Sequence, residues 1–228
     1  MNPIQDALVH GRLALTEAEA KRFLSGFGIP ICRETLAFDA EGAATEAARI
    51  GFPVVVKASG ATLLHKTEVG GVSLNLRTAS EVRETSQRLL KIPGCQAVLV
   101  QEMIRGDREL VCGLTRDAQL GPCVMFGLGG ILTETLDDAV FRLAPLTSTD
   151  ALEMLQEIQS AKILGPFRGQ APADRTTLSR ILIALGTIAL EHEAIREIDL
   201  NPVKIRPDGS PIAVDALISL EATEPAPR

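Results

Sequence analysis

Residues 52–77 read FPVVVKASGATLLHKTEVGGVSLNLR and are the most informative segment of the sequence. It opens with the apolar run Val54–Val56, which is typical of a buried strand and ends on a cation, Lys57. It closes with residues 71–76, whose apolar and polar side chains alternate as in a half-buried strand. About a dozen residues link the two strands, whereas a hairpin needs roughly two to five, so we expect the loop to have a function.

This loop contains the groups that bind phosphate in proteins. It follows Lys57 and holds hydroxyl residues, His65, Lys66 and the paired glycines Gly70 and Gly71. Ammonium groups and free backbone N–H groups both bind phosphate oxygens, so the loop is predicted to bind a polyphosphate. The cation of Lys66 next to His65 favours the neutral imidazole, which is the nucleophilic form of that side chain.

Composition and charge limit the class of protein. The chain has 228 residues, enough for one large domain or two joined lobes with a real core. Its net charge is -6 and it has no basic block, so we expect neither a nucleic-acid partner nor a membrane partner. It shows no membrane-length apolar span and no signal peptide, which predicts a cytoplasmic protein. No Cys-x-x-Cys spacing occurs, so reduced core thiols are predicted at Cys32, Cys95, Cys112 and Cys123.

Helical and strand patterns alternate along the chain, which predicts an α/β (α+β) fold. Residues 1–15 show no clear pattern and are expected to form an arm. The predicted helix N-caps are Thr16, Asp39, Thr78, Ser148 or Thr149, and Asp174. The predicted strands are residues 31–38, 54–57, 71–77, 97–104, 108–116, 121–127 and 138–145, followed by a C-terminal hairpin.

The C-terminal hairpin predicts a magnesium site. Glu197, Asp199 and Asn201 alternate along one strand and therefore share one face of it. The segment 206–210 suits a three-residue loop, which would place Asn201 directly opposite Asp215, whereas a two- or four-residue loop would put Asp215 on the wrong face. Amide and carboxylate oxygens that converge in this way suit Mg²⁺, which takes one or two protein oxygens and completes its shell with water and phosphate.

Six motifs follow one another along the chain: VVVK at 54–57, HKTEVGGV at 65–72, VQEM at 100–103, FGLGGI at 126–131, FRLAPL at 141–146 and DLNPV at 199–203. Together they resemble the ATP-grasp β subunit of ADP-forming acyl-CoA synthetases of the acetate–CoA type, relatives of succinyl-CoA synthetase, over about residues 14–220. That family joins a carboxylic acid to CoA with cleavage of ATP to ADP and phosphate, reversibly, through a phosphohistidine relay.

The resemblance implies an ATP-grasp fold, a single module over residues 1–228 with two α/β lobes and the nucleotide between them. The small lobe with the phosphate loop would be residues 29–101, and the larger lobe with the Mg²⁺ site would be residues 1–28 plus 102–228. No Gly-x-Gly-x-x-Gly motif opens a βαβ unit, and the chain begins at its own Met, so we expect no CoA-binding half. The likeness therefore implies a separate CoA-binding α subunit, in an α₂β₂ heterotetramer, through which the carboxylic acid and CoA are bound.

The resemblance also implies roles for the site residues. Lys57 is expected on the α/β phosphates of ATP, and His65 is expected to carry phosphate to the α-subunit histidine. The segment 101–104 would be the hinge between lobes, where backbone groups read adenine and an acidic side chain reaches the base or ribose. Arg142 and the glycines near it would dock phosphate or the α-subunit phosphohistidine loop. The candidate nucleotide-binding residues are Lys57, Lys66, Gly70, Gly71, Glu102, Met103, Ile104, Glu109, Gly129 and Gly130.

Three alternatives stay open at this stage. Glu109 alternates with an apolar neighbour and could be only a solvated strand residue. The chain could also be an ATP-grasp ligase with another acceptor, such as an amine, although His65 and the Gly129–Gly130 pair match the phosphohistidine-relay branch. Finally, it could be a non-catalytic nucleotide-binding regulatory subunit of an acyl-CoA or protein-acylation assembly, although the intact Lys57, Asn201 and Asp215 weigh against a degenerate site.

Overall fold

The computed structural model describes residues 2–63, 69–130 and 138–221. The chain divides into two compact units. The first unit comprises Met1–Leu15, Ala20–Ile31 and Arg105–Arg228, and the second comprises Thr16–Glu19 and Cys32–Ile104. The expectation that a nucleotide lies between two lobes stays a prediction.

Six α-helices and ten strands occur in the described ranges. The helices are α1 (Pro3–Val9), α2 (Glu17–Ser25), α3 (Ala40–Ile50), α4 (Ala79–Leu89), α5 (Ser148–Glu157) and α6 (Arg175–Glu191), with a short 3₁₀ helix at Ala161–Leu164. The strands are β1 (Glu34–Ala37), β2 (Val54–Ser59), β3 (Val72–Leu76), β4 (Ala97–Glu102), β5 (Arg108–Asp117), β6 (Gly121–Leu128), β7 (Ala139–Leu143), β8 (Ile195–Ile205), β9 (Pro211–Ala213) and β10 (Leu217–Leu220).

The second unit is built on a four-stranded antiparallel sheet in the order β1-β4-β2-β3. All six residues of β2 are buried, as its apolar run predicts. On one face of β2, Val54, Val56 and Ala58 pack against small apolar residues of α3 and against α4. Because β2 lies between β4 and β3, both of its edges are paired, and this fixes the position at which the loop after Ser59 begins.

Strand β3 differs from its prediction. The expected alternation would bury Leu74, but this side chain is 60% exposed. The next residue, Asn75, has a φ of 61°, a left-handed conformation that asparagine tolerates better than most residues. As the edge strand of its sheet, β3 has a neighbour on only one side, and the local change of backbone at Asn75 breaks the period of two.

The first unit holds a six-stranded antiparallel sheet in the order β10-β8-β5-β6-β7, with β9 also paired to β8. Helix α6 packs its apolar stripe on this sheet, and Leu178, Leu182 and Leu185 are fully buried as the helical spacing predicts. The fully buried Arg108 at the start of β5 donates to the carbonyl oxygens of Gly165 at 3.2 Å and Ala171 at 2.7 Å. Arg108 thereby ties the segment before α6 to the sheet.

The N-terminal segment is not an arm, so that prediction is wrong. Asn2 caps α1 by accepting a hydrogen bond from the Ile4 N–H at 3.0 Å, and a proline begins the helix. Ile4 and Ala7 are buried in the core of the first unit. A helix of only seven residues has too few turns to show a clear apolar period, which is why the sequence did not reveal it.

The helix caps mostly follow the sequence. The predicted caps Thr16, Asp39, Thr78 and Asp174 each accept a backbone hydrogen bond from the first turn of the helix. The exception is α5, which is capped by Thr147 and not by Ser148 or Thr149. Thr147 forms a capping box with Asp150. The Thr147 hydroxyl accepts a hydrogen bond from the Asp150 N–H, and the Asp150 carboxylate accepts one from the Thr147 N–H.

All four cysteines are free thiols, as predicted, but only two of them are core residues. Cys32 and Cys112 are buried, whereas Cys95 and Cys123 are partly exposed. None of the helices in the described ranges has the length and apolar character that crossing a membrane requires.

Candidate functional site

Lys57, on strand β2, forms a buried ion pair with Glu17. The Lys57 Nζ lies 2.6 Å from Oε1 of Glu17, the first residue of α2. The two side chains are only 7% and 2% exposed, so this pair is almost entirely removed from water. Glu17 is a residue that sequence reasoning missed, although a signal was available. Counting back from the buried Ala20 and Leu24, Glu17 falls on the same apolar face of the helix.

The predicted hinge segment is held by contacts within the second unit. The Glu102 carboxylate accepts hydrogen bonds from the Arg33 N–H at 2.8 Å and from the Arg33 guanidinium at 3.3 Å. The Met103 N–H donates to the Pro53 carbonyl oxygen at 3.2 Å. These contacts define the path of the chain toward Ile104, which is buried. Adenine recognition by Glu102, Met103 and Ile104 stays a prediction.

The two ends of the predicted phosphate loop are fixed by close contacts. A Cβ atom at Gly60 would lie 2.0 Å from the Gly94 carbonyl oxygen, so only glycine allows the backbones to approach this closely. At the other end, the Arg88 guanidinium donates to the Gly70 carbonyl oxygen at 3.2 Å and to Ser73 Oγ at 2.8 Å. The Gly71 carbonyl oxygen accepts a hydrogen bond from the Ala58 N–H at 2.7 Å.

His65 and Lys66 lie outside the described residues, so their predicted roles are untouched by the structure. Gly70 and Gly71 are described and stand where the chain returns to β3. Gly70 has a φ of 64°, a left-handed conformation that suits glycine. The phosphate-binding roles of these four residues stay predictions.

In the first unit, Glu109 and the paired glycines come together. The Gly129 N–H donates to the Glu109 carbonyl oxygen at 2.8 Å, and a Cβ atom at Gly130 would lie 2.5 Å from Glu109 Oε2. The Glu109 carboxylate also pairs with Lys204 Nζ at 2.9 Å, and this ammonium donates to the Gly106 carbonyl oxygen at 3.1 Å. Glu109 is therefore not simply a solvated strand residue. Its place in nucleotide binding stays a prediction.

The C-terminal hairpin has the predicted register. The Arg206 N–H donates to the Ser210 carbonyl oxygen at 2.9 Å, and Gly209 has a φ of 92°. Val203 pairs with Ala213 on β9, and Asp199 pairs with Leu217 on β10, so the same register holds on both sides of Asn201. These pairs confirm the three-residue loop.

Asn201 and Asp215 are opposite each other in this register, but neither paired segment of the hairpin includes both of them. Strand β9 ends at Ala213, and β10 begins only at Leu217. Pro202 has no N–H to donate, but its carbonyl oxygen accepts a hydrogen bond from the Val214 N–H at 3.1 Å, in the same register. Asn201 and Asp215 thus occupy facing positions by count but lie in a gap between two paired segments.

An acidic cluster follows from this arrangement, and we define it as Glu197, Asp199 and Asp215. Burial, the charge of Glu197 and the charge of Asp215 together raise the pKa of Asp199 to about 6. Glu197, Asp199 and Asn201 line a pocket of about 210 Å³ at the six-stranded sheet. The pocket is otherwise mainly apolar, with Phe141 among its lining residues.

The donor set of the acidic cluster fits a hard divalent cation. A bound cation reduces the repulsion between carboxylates that are partly buried. The Asn201 amide adds a neutral oxygen on the same face of the strand. No group of three or more His, Cys, Asp or Glu side chains is positioned to hold a metal within the described ranges. A cation here would therefore take only one or two carboxylates of this chain, which agrees with the preference of Mg²⁺ for water and phosphate.

Arg142 lies away from the acidic cluster. Its guanidinium pairs with Glu157 of α5 and donates to the Phe141 carbonyl oxygen at 3.0 Å. Because side chains alternate along a strand, Arg142 lies on the face that α5 contacts, and its neighbour Phe141, which lines the pocket, lies on the other face. Arg142 does have the partner that a cation in an apolar strand needs, and that partner is Glu157. A role in docking phosphate stays a prediction.

The fold and the site residues described above agree with one protein family. The profile of the ATP-grasp domain family matches residues 6–220, and the chain therefore belongs to this family.

Its relatives identify the branch of that family. The chain is 40% identical over 213 residues to the β subunit of ADP-forming acetate–CoA ligase I from Pyrococcus furiosus, covering 90% of this chain and 91% of the relative. It is 37% identical over 198 residues to ADP-forming acetate–CoA ligase I from Archaeoglobus fulgidus, but spans only 29% of that longer protein. This chain is thus a member of the family of ADP-forming acetate–CoA ligase β subunits, which confirms the resemblance seen in the motifs.

Solved structures agree with this assignment. The acetyl-coenzyme A synthetase 1 of Ca. Korarchaeum cryptofilum superposes with a TM-score of 0.90 and 42% identity, covering 96% of this chain and 98% of that chain. Another structure of the same protein, with a TM-score of 0.85, is a complex with coenzyme A and Mg-AMPPCP. In that complex the phosphohistidine segment points towards the nucleotide binding site. The predicted ATP-grasp fold is confirmed by these comparisons.

Proposed function

We propose that this chain is the nucleotide-binding β subunit of an ADP-forming acyl-CoA synthetase. The reaction would convert a carboxylic acid, CoA and ATP reversibly into acyl-CoA, ADP and phosphate. The observation that carries the proposal is the 40% identity to a curated β subunit along nearly the full length of both chains. The contacts at Lys57 and at the acidic cluster supply the two kinds of group that such a subunit needs, a cation for phosphate and oxygens for a metal.

The chemistry proposed for this chain is phosphoryl transfer through His65. A nitrogen of the His65 imidazole attacks the γ-phosphorus of ATP, the bond from that phosphorus to the β–γ bridging oxygen breaks, and ADP leaves. The phosphoryl group then passes from His65 to a histidine of a partner subunit. Such transfers depend mainly on alignment and on neutralising the phosphate charge, which Lys57 and Lys66 would do from the loop side.

The remaining site residues would position the nucleotide and its metal. Mg²⁺, when bound, neutralises charge on the phosphates, and Asn201, Asp215 and Asp199 are the residues that would hold it. Glu102, Met103 and Ile104 would contact the adenosine part, with Glu109 and the Gly129–Gly130 pair near the phosphates. Arg142 would act at the docking site of the partner's phosphohistidine segment.

A separate partner completes the proposal. The Pyrococcus relative is itself one subunit of its enzyme, and the Archaeoglobus relative is a single chain more than three times as long as the matched region. We therefore propose a CoA-binding α subunit, joined with this chain in an α₂β₂ heterotetramer. The acid and CoA would bind through the partner, so we assign no acid-binding pocket within the described part of this chain.

Phosphorylation with γ-labelled ATP tests this proposal. The chain is incubated with labelled ATP and Mg²⁺, with and without a cognate α subunit, and the protein is precipitated. We expect a label that is stable in base, labile in acid and lost in His65→Asn. His192→Asn is the matched control, since His192 is engaged by the Phe23 and Phe27 rings and should keep the label.

The same experiment separates the proposal from its alternatives. An ATP-grasp ligase that uses another acceptor would cleave ATP without a phosphohistidine, and it would give no base-stable label under either condition. A regulatory subunit would bind ATP and show no turnover. Either result would end the proposed relay.

A further inference from the structure

We propose that Glu17 is a positioning residue that holds the Lys57 ammonium for the nucleotide phosphates. The inference rests on the proposed function, because it assigns Glu17 to the same nucleotide site. Glu17 does not itself contact the nucleotide in this proposal. It acts through Lys57, whose Nζ lies 2.6 Å from its carboxylate.

The geometry restricts where the Lys57 ammonium can be. Lys57 projects from β2, whose two neighbouring strands hold the backbone on both sides, with Lys57 opposite Val72 on β3 and Leu99 on β4. Glu17 is fixed in turn, since the capping box of Thr16 and Glu19 sets the first turn of α2. A flexible lysine side chain is thereby held at one place by two rigid elements.

Charge explains why the partner is a carboxylate. The Lys57 side chain is only 7% exposed, and a buried ammonium is strongly disfavoured unless an opposite charge or several acceptors surround it. Glu17 supplies that opposite charge in the absence of a ligand. An ammonium carries three N–H groups, so a bond to Glu17 is compatible with a second bond to a phosphate oxygen.

A strand lysine held by a helix glutamate is a known solution to this problem. In protein kinases the lysine that binds the nucleotide phosphates is kept in place by a glutamate from a neighbouring helix, and the pair must be formed for activity. The kinase fold is unrelated to this one. The physical requirement is the same in both folds. A long side chain that is already held in one position before the nucleotide binds loses no further conformational entropy on binding.

The test compares nucleotides that differ in their phosphates. Calorimetric titration of the full chain with Mg-ADP and with AMP gives the preference of the protein for the additional phosphate. We expect Glu17→Gln to reduce this preference about tenfold, the size of one charged hydrogen bond, and to leave AMP affinity within about twofold. Glu17→Asp keeps the charge and should fall between Glu17→Gln and the wild type.

Glu19→Gln is the matched control, since it removes a carboxylate of the same helix that serves the capping box. We expect it to keep the wild-type preference. The inference is overturned if Glu17→Gln keeps that preference, if AMP and Mg-ADP affinities fall together, or if Glu19→Gln has the same effect. If Glu17→Gln does not fold, an unchanged preference in Glu17→Asp overturns the inference instead. A wild-type chain that binds neither ligand overturns the proposed function itself, and the inference with it.

Discussion

The Lys57–Glu17 pair and the acidic cluster both remove charge from water, but the first joins opposite charges and the second brings like charges together. In the second unit, a cation and a carboxylate lie 2.6 Å apart in a place that is almost fully buried. In the first unit, Glu197 and Asp215 add negative charge around a partly buried Asp199 and raise its pKa to about 6. The charges of the first region attract each other, whereas those of the second repel each other, and a bound cation would reduce that repulsion. The next four predictions test this contrast.

The largest expected effect comes from breaking the buried pair. Lys57→Met leaves the Glu17 carboxylate buried without the Lys57 ammonium and should lower the free energy of unfolding by about 3–5 kcal/mol. The double variant Lys57→Met/Glu17→Leu removes both charges and should recover most of this loss. Urea unfolding followed by circular dichroism measures both, with the exposed Lys91→Met as the control. Equal losses in the single and the double variant would contradict a coupled pair.

The acidic cluster should show the opposite behaviour, a gain in stability when charge is removed. The raised pKa of Asp199 means that the folded state binds its proton more tightly than the unfolded state does. The contribution of Asp199 to stability is therefore full below about pH 4 and is lost as pH rises towards about 6. Relative to the wild type, Asp199→Asn should gain about 2 kcal/mol between pH 4 and pH 7, given about 1.4 kcal/mol per unit of pKa and partial access to water.

Urea unfolding at several pH values measures this difference, and Asp208→Asn in the hairpin turn is the control. Hydrogen bonds from the Ser210 side chain and backbone lower the pKa of Asp208, so its removal should not give the same trend. A difference between Asp199→Asn and the wild type that stays constant with pH would contradict the raised pKa.

Magnesium should distinguish the two regions next. A ligand that binds only the folded state at ten times its Kd adds about 1.4 kcal/mol to the free energy of unfolding. We expect Mg²⁺ to stabilise the wild type in this way and to have less effect on Asp215→Asn, whereas Lys91→Met should respond like the wild type. Thermal unfolding with Mg²⁺ and with matched ionic strength from NaCl measures the gain. Equal shifts in the wild type and Asp215→Asn would place the cation elsewhere.

The smallest effect is expected at an ion pair that is open to water. Arg33 pairs with Glu102 in the same unit as Lys57, but the Arg33 side chain is 68% exposed. Exposed pairs contribute little because water and salt screen them. Arg33→Met should therefore change the free energy of unfolding by less than about 1 kcal/mol in the same urea assay. A loss comparable to that of Lys57→Met would show that burial is not what separates the two pairs.

The sequence predicted features that depend on neighbouring residues, and it did not predict contacts between residues that are far apart in the chain. The cap at Thr78 depends on Glu81, and the loop of the C-terminal hairpin depends on Gly209, so both follow from a few adjacent residues. The partner of Lys57 lies 40 residues earlier in the chain, where no local pattern connects the two. The apolar neighbours of Arg142 likewise predicted that this cation has a partner, but the sequence did not show that the partner is Glu157.

The candidate site was predicted in the same uneven way. Local alternation placed Glu197, Asp199 and Asn201 on one face, and they do line one pocket. The sequence did not predict that the pairing of β8 with β9 ends next to Pro202. Whether the missing N–H of a proline ends strand pairing depends on which side of the strand its partner lies, and the sequence does not show this. His65 and Lys66 lie outside the described residues and stay predictions from the motif alone.

Cys112 gives this chain an internal reporter. It is buried on β5, where burial and the neighbouring Asp199 charge raise the pKa of its thiol to about 12. The thiolate is the reactive form, so an alkylating reagent modifies Cys112 only when the core around β5 opens. The chain has no tryptophan or tyrosine for fluorescence. The rate of alkylation at Cys112, followed by mass spectrometry, would therefore report how often the strand beneath the acidic cluster opens.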